Sequence, residues 1–378
     1  MPKTKTNTKT SKTRNSKKKA PLIVLTAGGT GGHVYPAESL AYELDKRGYQ
    51  LALITDSRGK DNYKGKLGEI KNHAVLAGAL VGKSKWFKIK SLFKTAIGTL
   101  QAMWILIKNR PACVVGFGGY ASFPCCCAAI LLRIKLVIHE QNSVMSRTNR
   151  FLSKHAALIA TSFNKTSHLP NNKKIILTGM PVRKAITDIR DRTFPPSSDK
   201  FTILVLGGSQ GAQIFSTVIP EAINLFNKST QKKIKLIQQC RANDLDTAKT
   251  LYKEISSEII LEPFFSNMHE LFAESSLIIT RAGASSVAEV MAIGLPSILV
   301  PLPIAADNHQ YYNSMEVTDA KGGIRVDQPD FTAKNLNSLI KDFMEDSKKL
   351  KTMSNNAKKA GITDAASRLA NAIETEIL

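Results

Sequence analysis

Apolar positions in this chain fall into two kinds of segment that alternate along its length. Short runs with little polar alternation, LIVLTA (22–27), YQLALITD (49–56), PACVVGFGGY (111–120), IKLVIHEQN (134–142), ALIATS (157–162) and KIILTGMP (174–181), predict strands buried on both faces of a parallel sheet. Between them the period changes to that of a helix: Val34, Ala37, Leu40, Ala41 and Leu44 share one face, and the 86–108 region reads as a further helix. The pattern then repeats from Phe201, with FTILVLGG, IKLIQQC, IILEPFF and LIITRAG as strands and Ile214, Val218, Ala222 and Phe226 as a helix face. Strand–helix alternation of this kind predicts an α/β fold with parallel sheets.

Two of the strands run into glycine-rich turns half a chain apart. Gly28, Gly29, Thr30, Gly31, Gly32 and His33 follow the first strand, and Gly207, Gly208, Ser209, Gln210 and Gly211 follow FTILVL. A turn without Cβ atoms lets backbone N–H groups approach a ligand, and a helix start adds partial positive charge, so each turn suits an anion such as a phosphate. Such turns also occur merely to make a corner between strand and helix. Their duplication at equivalent places points instead to two phosphorylated substrates facing one another.

A chain of 378 residues exceeds what one core usually serves, and the charge-rich segment RDRTFPPSSDK interrupts the alternation. We therefore expect a leader at 1–20, a first domain at 21–190, a linker at 191–200, a second domain at 201–360 and a returning helix at 361–378. The net charge is +23, and eight cations lie within the first twenty residues, where there is neither an acid nor an apolar run. That composition predicts disorder and does not fit a secretory signal. The cations lack the interleaved aromatics of a nucleic-acid surface, so no nucleic-acid partner is expected. Adjacent Cys125, Cys126 and Cys127 read as core rather than as disulfides or metal ligands.

No run is long and apolar enough to span a bilayer. The stretch VGKSKWFKIKSLFKTAIGTLQAMWILI (81–107) nevertheless mixes lysines with Trp86, Phe87, Phe93 and Trp104. It reads either as a helix lying on an anionic membrane surface or as one whose apolar face meets the core.

Ligands of open parallel sheets settle beyond the carboxyl ends of the strands, which draws attention to His33, 140–142, Arg183, Ser209, Phe265, 281–289 and 307–310. His33 suits proton transfer or phosphate contact, or is only an exposed side chain at a helix start. Glu289 fits either a capping box with Ser286 or an acceptor for ribose hydroxyls, with the amides of Ala284, Ser285 and Ser286 meeting a phosphate. Asp56 at the end of the second strand suits the ribose acid of a nicotinamide fold, although the first turn departs from GxGxxG. Asp244 and Asp246 lie in a charged helical stretch, a weak pattern for a metal pair.

Taken together and in order, GGTGGHVYPA, GFGGYASFP, HEQNS, GMPVR, GGSQGA, RAGASSVAE and DNHQYYN resemble the MurG family from about Leu22 to the C-terminus. The resemblance implies a GT-B-type architecture, two Rossmann-like domains with parallel sheets facing across a cleft. It implies inverting transfer of N-acetylglucosamine from UDP-N-acetylglucosamine to the 4-hydroxyl of the undecaprenyl-linked muramyl-pentapeptide, lipid I, giving lipid II in peptidoglycan synthesis. A different UDP-sugar transferase with a lipid acceptor is the alternative, and an NAD(P)-dependent oxidoreductase lies further off.

By the same resemblance Ser209, Phe265, Glu289 and Gln310 contact the donor from the second domain, with Ala284, Ser285, Ser286, Val287 and Ala288 at the helix start beside it. Asn142, Arg183 and the Thr30, Gly31, Gly32 turn complete the donor contacts from the first. The first glycine turn would receive the acceptor diphosphate, His33 is the candidate base, and no metal or other cofactor is obligatory. His309 stands where some relatives carry a second glutamine, and Ser285 and Ala288 also vary. An anionic membrane partner and a peripheral place on the cytoplasmic face of the inner membrane follow from the lipid acceptor.

Overall fold

The computed structural model describes residues 20–28, 31–57, 63, 65–78, 85–196, 198–208 and 211–378. They form two lobes, each a wholly parallel sheet sandwiched by helices. The first sheet contains β1 (Leu22–Thr26), β2 (Gln50–Thr55), β3 (Lys71–Ala74), β4 (Cys113–Gly116), β5 (Lys135–Glu140), β6 (Leu158–Thr161) and β7 (Ile175–Leu177), in the order β3-β2-β1-β4-β5-β6-β7. The second contains β8 (Phe201–Leu206), β9 (Ile234–Gln239), β10 (Glu258–Glu262), β11 (Leu277–Thr280), β12 (Ser297–Leu299) and β13 (Gly323–Arg325), in the order β10-β9-β8-β11-β12-β13.

Unbroken apolar runs become central strands because both faces of each sheet are covered. Leu25 pairs with Leu53 on one side and Val115 on the other, and Ile203 pairs with Leu236 and Leu277 in the second lobe. In each sheet the strand order reverses beside its first strand, so the crevices open between β1 and β4 and between β8 and β11. Both glycine turns leave the sheets at those points.

The helix Gly31–Lys46 buries Ala37, Leu40, Ala41 and Leu44 as its period predicts. The helix Gln213–Asn224 is rotated by about one position from expectation. Its buried face is Phe215, Ile219, Ala222 and Ile223, while Ile214 and Val218 are only half-buried and Phe226 lies beyond its end. The tract of three cysteines packs in the first core, with Cys125 and Cys126 fully buried. The last helix, Ala365–Glu376, crosses back to the first lobe, where Leu369, Ala370 and Ile373 share a core with Leu40 and Leu44.

The segment after β7 packs on the second lobe. Ile186 joins the cluster of Leu204 and Ile237, and Arg190 and Arg192 donate to the carbonyls of Ala292, Ile293 and Lys358 at helix C-termini. The chain thus changes lobe ahead of the charge-rich segment expected to link them.

Candidate active site

The first crevice is lined by two glycine turns and the ring of His33. A side chain at Gly28 would collide with Ala121 and crowd Thr55 Oγ1. Gly118 and Gly119, which follow β4, have φ of 77° and 74°, values that favour glycine. A Cβ on Gly119 would sit 3.3 Å from His33 Cδ2, so the second turn is what lets the imidazole come this close to the backbone. Gly29 and Thr30 lie outside the described residues; Gly31 and Gly32 open the helix that carries His33 in its first turn.

His33 Nδ1 is buried without a hydrogen-bond partner. Burial lowers the imidazole pKa below its usual 6.5, opposed by the negative charge of Glu140 and by the neighbouring Phe117 carbonyl and Gln141 side chain. The ring is therefore neutral at pH 7, the state that can accept a proton. His139 behind it is pushed down to about 4 by burial and is bound to the carbonyl of Gly179 at 3.1 Å.

Glu140, at the end of β5, organises the turn that follows. It accepts from the backbone of Asn142 at 3.0 Å, from Asn142 Nδ2 at 3.3 Å, from the backbone of Ser146 at 3.0 Å and from Asn149 Nδ2 at 2.7 Å. Asn142 Oδ1 then accepts from Asn313 Nδ2 of the second lobe at 3.1 Å.

In the second crevice the turn after β8 has left-handed glycines at Gly208 and Gly211, with Ser209 outside the described residues. The helix that follows begins without a side-chain cap. So does the helix Ala284–Ile293, whose N-cap is Gly283; Glu289 is two positions beyond the first turn, and no capping box forms. Its first amides, at Ala284, Ser285 and Ser286, have no partner within the helix, and Ser285 Oγ is buried without one. Val287 and Ala288 turn their side chains into the interlobe core, which leaves their backbone alone as a possible contact.

Glu289 faces the other lobe. It accepts from Arg183 Nη2 at 3.1 Å, and the Arg183 guanidinium lies 4.3 Å from the ring centre of Tyr35. Burial raises the Glu289 pKa and Arg183 partly offsets this. Phe265 inserts its side chain against the cluster of Leu204 and Phe272. Gln310 Oε1 accepts from the backbone of Leu302 at 2.9 Å, leaving its Nε2 donor for a ligand, and His309 Nδ1 lies 2.8 Å from the carbonyl of Ala306.

The structure adds residues and partnerships that the chain's pattern did not show, although that pattern singles out 307–310. Asn313 is fully buried between the lobes, accepting from the backbone of Ser143 and donating to Asn142 and to the carbonyl of Ala282. Asp307 pairs with Arg147 and Arg150, and Tyr35 supports Arg183. Asp307 and Asn313 were visible inside DNHQYYN, but nothing local distinguishes a bridging acid from a solvated one. Asp244 is held by Arg241 at 2.5 Å, and no group of metal-ligating side chains occurs among the described residues.

Residues 23–161 match the glycosyltransferase family 28 N-terminal domain and residues 202–369 its C-terminal domain. A UDP-N-acetylglucosamine--N-acetylmuramyl-(pentapeptide) pyrophosphoryl-undecaprenol N-acetylglucosamine transferase from Paramagnetospirillum magneticum is 43% identical over 357 residues, covering 93% of this chain and 96% of that one. The chain belongs to the MurG family. The enzyme of the same description from Rhodospirillum centenum is 43% identical over 359 residues, covering 93% of each chain. The crystal structure of MurG from Acinetobacter baumannii superposes with a TM-score of 0.74 at 29% identity, covering 94% of this chain and 99% of that one. MurG membership makes this chain a glycosyltransferase with two GT-B-type lobes and sets aside the nicotinamide reading of Asp56. The kitacinnamycin glycotransferase, at 14% identity and a TM-score of 0.71, shares the fold.

Proposed function

We propose that this enzyme transfers N-acetylglucosamine from UDP-N-acetylglucosamine to the 4-hydroxyl of undecaprenyl-diphospho-muramyl-pentapeptide, with inversion at the anomeric carbon. The observation that carries the division of labour is the pair of opposed crevices. One presents a neutral imidazole between glycine turns, and the other presents uncapped helix starts, a buried unpartnered serine and a carboxylate. The first lobe takes the acceptor and the second the nucleotide sugar, with the crossover between lobes in the segment following β7.

The acceptor oxygen attacks the anomeric carbon as the bond to the UDP oxygen breaks, and His33 takes the hydroxyl proton. Negative charge accumulating on the departing diphosphate is met by the amides at Ala284 to Ser286, the turn containing Ser209, and Arg183. Glu289 receives the ribose hydroxyls once Arg183 has turned to the diphosphate. The backbone of Phe265 meets uracil, and Gln310 meets the sugar. Asn142 and the Thr30, Gly31, Gly32 turn close the site from the first lobe.

The helix Lys85–Asn109 supports a membrane partner. Ser91, Thr95, Gly98 and Ala102 form the face that meets the lobe, whereas Trp86, Leu92, Phe93, Leu100 and Trp104 point outward, Trp86 being 80% exposed. Ile105 and Leu106 near the end of the helix also pack into the first core, while the outward apolar side chains stand beside exposed Lys88, Lys90 and Lys94. No helix among the described residues is long and apolar enough to cross a membrane. This face rests on an anionic bilayer, placing the enzyme peripherally at the cytoplasmic side, where a lipid-linked acceptor is reached. Incubation with UDP-N-acetylglucosamine and a lipid I analogue tests the activity directly; formation of the disaccharide-linked lipid is expected, and its absence in folded enzyme that binds lipid surfaces would refute the assignment.

A further inference from the structure

The loop that delivers His309 and Gln310 contains two consecutive non-glycine residues in the left-handed region, Asp307 at φ 51° and Asn308 at φ 54°. Asparagine and aspartate tolerate that conformation best, but it is still disfavoured and persists only where surrounding contacts impose it. The imposing contacts come from the opposite lobe. Asp307 Oδ2 accepts from Arg150 Nη2 at 2.9 Å and Oδ1 from Arg147 Nη2 at 3.3 Å. Arg150 is itself fixed, since its Nε donates to the carbonyl of Met145 at 2.7 Å, and the Arg150 and Asp307 side chains are 30% and 29% exposed. Both arginines belong to the helix Arg147–Ser153, which directly follows the turn organised by Glu140.

We propose that Asp307 is a positioning residue for the sugar half of the donor. By binding Arg150 and Arg147 across the cleft, it holds the left-handed turn that sets the direction of Gln310, whose own Oε1 is pinned to Leu302 three residues after β12 ends. Sugar recognition then depends on this contact with the acceptor lobe, whereas the nucleotide half, built on Glu289 and the helix starts, meets that lobe through Arg183 instead. The inference rests on the reading of Gln310 as a sugar contact.

Asp307→Gly keeps left-handed backbone accessible while removing the carboxylate, and Arg150→Met removes the main partner while leaving the turn's own residues intact. UDP affinity is measured by calorimetry, and kcat and KM are measured for UDP-N-acetylglucosamine and for its C4 epimer UDP-N-acetylgalactosamine. For both variants, kcat/KM with UDP-N-acetylglucosamine is expected to fall about tenfold or more, with weaker preference over the epimer and UDP affinity within roughly twofold of the parent. Parental kcat/KM in both variants, or UDP affinity falling in step with it, would overturn the proposal. A parent enzyme that ignores UDP would instead refute the donor assignment itself.

Discussion

Arg183 Nη2 and Glu289 Oε1 lie 3.1 Å apart, tying the segment that leaves the first sheet to the helix proposed to hold the nucleotide. The pair is shielded, with Arg183 stacked on Tyr35 and its Nε buried without a partner. The carboxylate assigned to the ribose is therefore engaged before any donor arrives, and the guanidinium assigned to the diphosphate is already beside it. On the proposed assignment, binding would exchange one set of charge-assisted bonds for another rather than assemble them from water.

Replacing Glu289 by Gln keeps the shape of the side chain and removes its charge. Hydrogen bonds to a charged acceptor contribute about 1.5–3 kcal/mol, so UDP should bind roughly ten- to a hundredfold more weakly. Calorimetry that finds an unchanged dissociation constant would make the carboxylate a structural group only.

The same substitution has a signed effect on stability. Burial raises the folded-state pKa of Glu289 above its ordinary 4.5, so its contribution to stability is full below that value and declines as pH rises through the raised one. Denaturation of Glu289→Gln across pH 4 to 7 should show the variant gaining on the parent toward neutrality. A difference that is flat with pH contradicts the burial argument.

His33→Ala should reduce turnover by about 10²–10⁴ while leaving UDP affinity intact, the usual range for a lost general base. Turnover within tenfold of the parent would remove His33 from that role.

The acid limb of the parent's pH–rate profile should be centred below 6.5, because burial depresses the His33 pKa. Glu140 opposes that depression, so Glu140→Gln should move the limb to lower pH still. A limb that moves upward, or not at all, would mean another group is titrating.

Asn313 has a different duty. Truncation to Ala strands the backbone N–H of Ser143 and Asn142 Oδ1 inside the interlobe contact, a loss of about 1–3 kcal/mol for each group left unsatisfied. A melting temperature equal to the parent's would show that water replaces these bonds freely.

Serine at Trp86, Phe93 and Trp104 should abolish sedimentation with anionic liposomes, each buried aromatic contributing about 1.5–3 kcal/mol, while circular dichroism stays unchanged because these side chains touch little of the lobe. Equal sedimentation of variant and parent would exclude this face from membrane contact.

Unbroken apolar runs such as LIVLTA and FTILVL were enough to predict parallel sheets, because only a strand covered on both faces can dispense with polar alternation. The glycine turns were legible for a related reason: a corner with no Cβ is written directly in the residue types, and placing His33 and Glu289 after strands follows from the general rule for such sheets. What the sequence could not determine was direction and partnership. It gave the helix at 85–109 two opposite orientations, and only packing decided that Ser91, Thr95, Gly98 and Ala102 face inward. It offered Glu289 a cap or a ligand, and the tertiary structure turned the carboxylate toward Arg183, 106 residues away in the chain. Asp307 with Arg150 and Asn313 with Asn142 escaped notice because pairs of 157 and 171 residues' separation leave no periodic trace. Local patterns report what a residue does to its neighbours along the chain, whereas the cleft is made by residues that meet only after both sheets have folded.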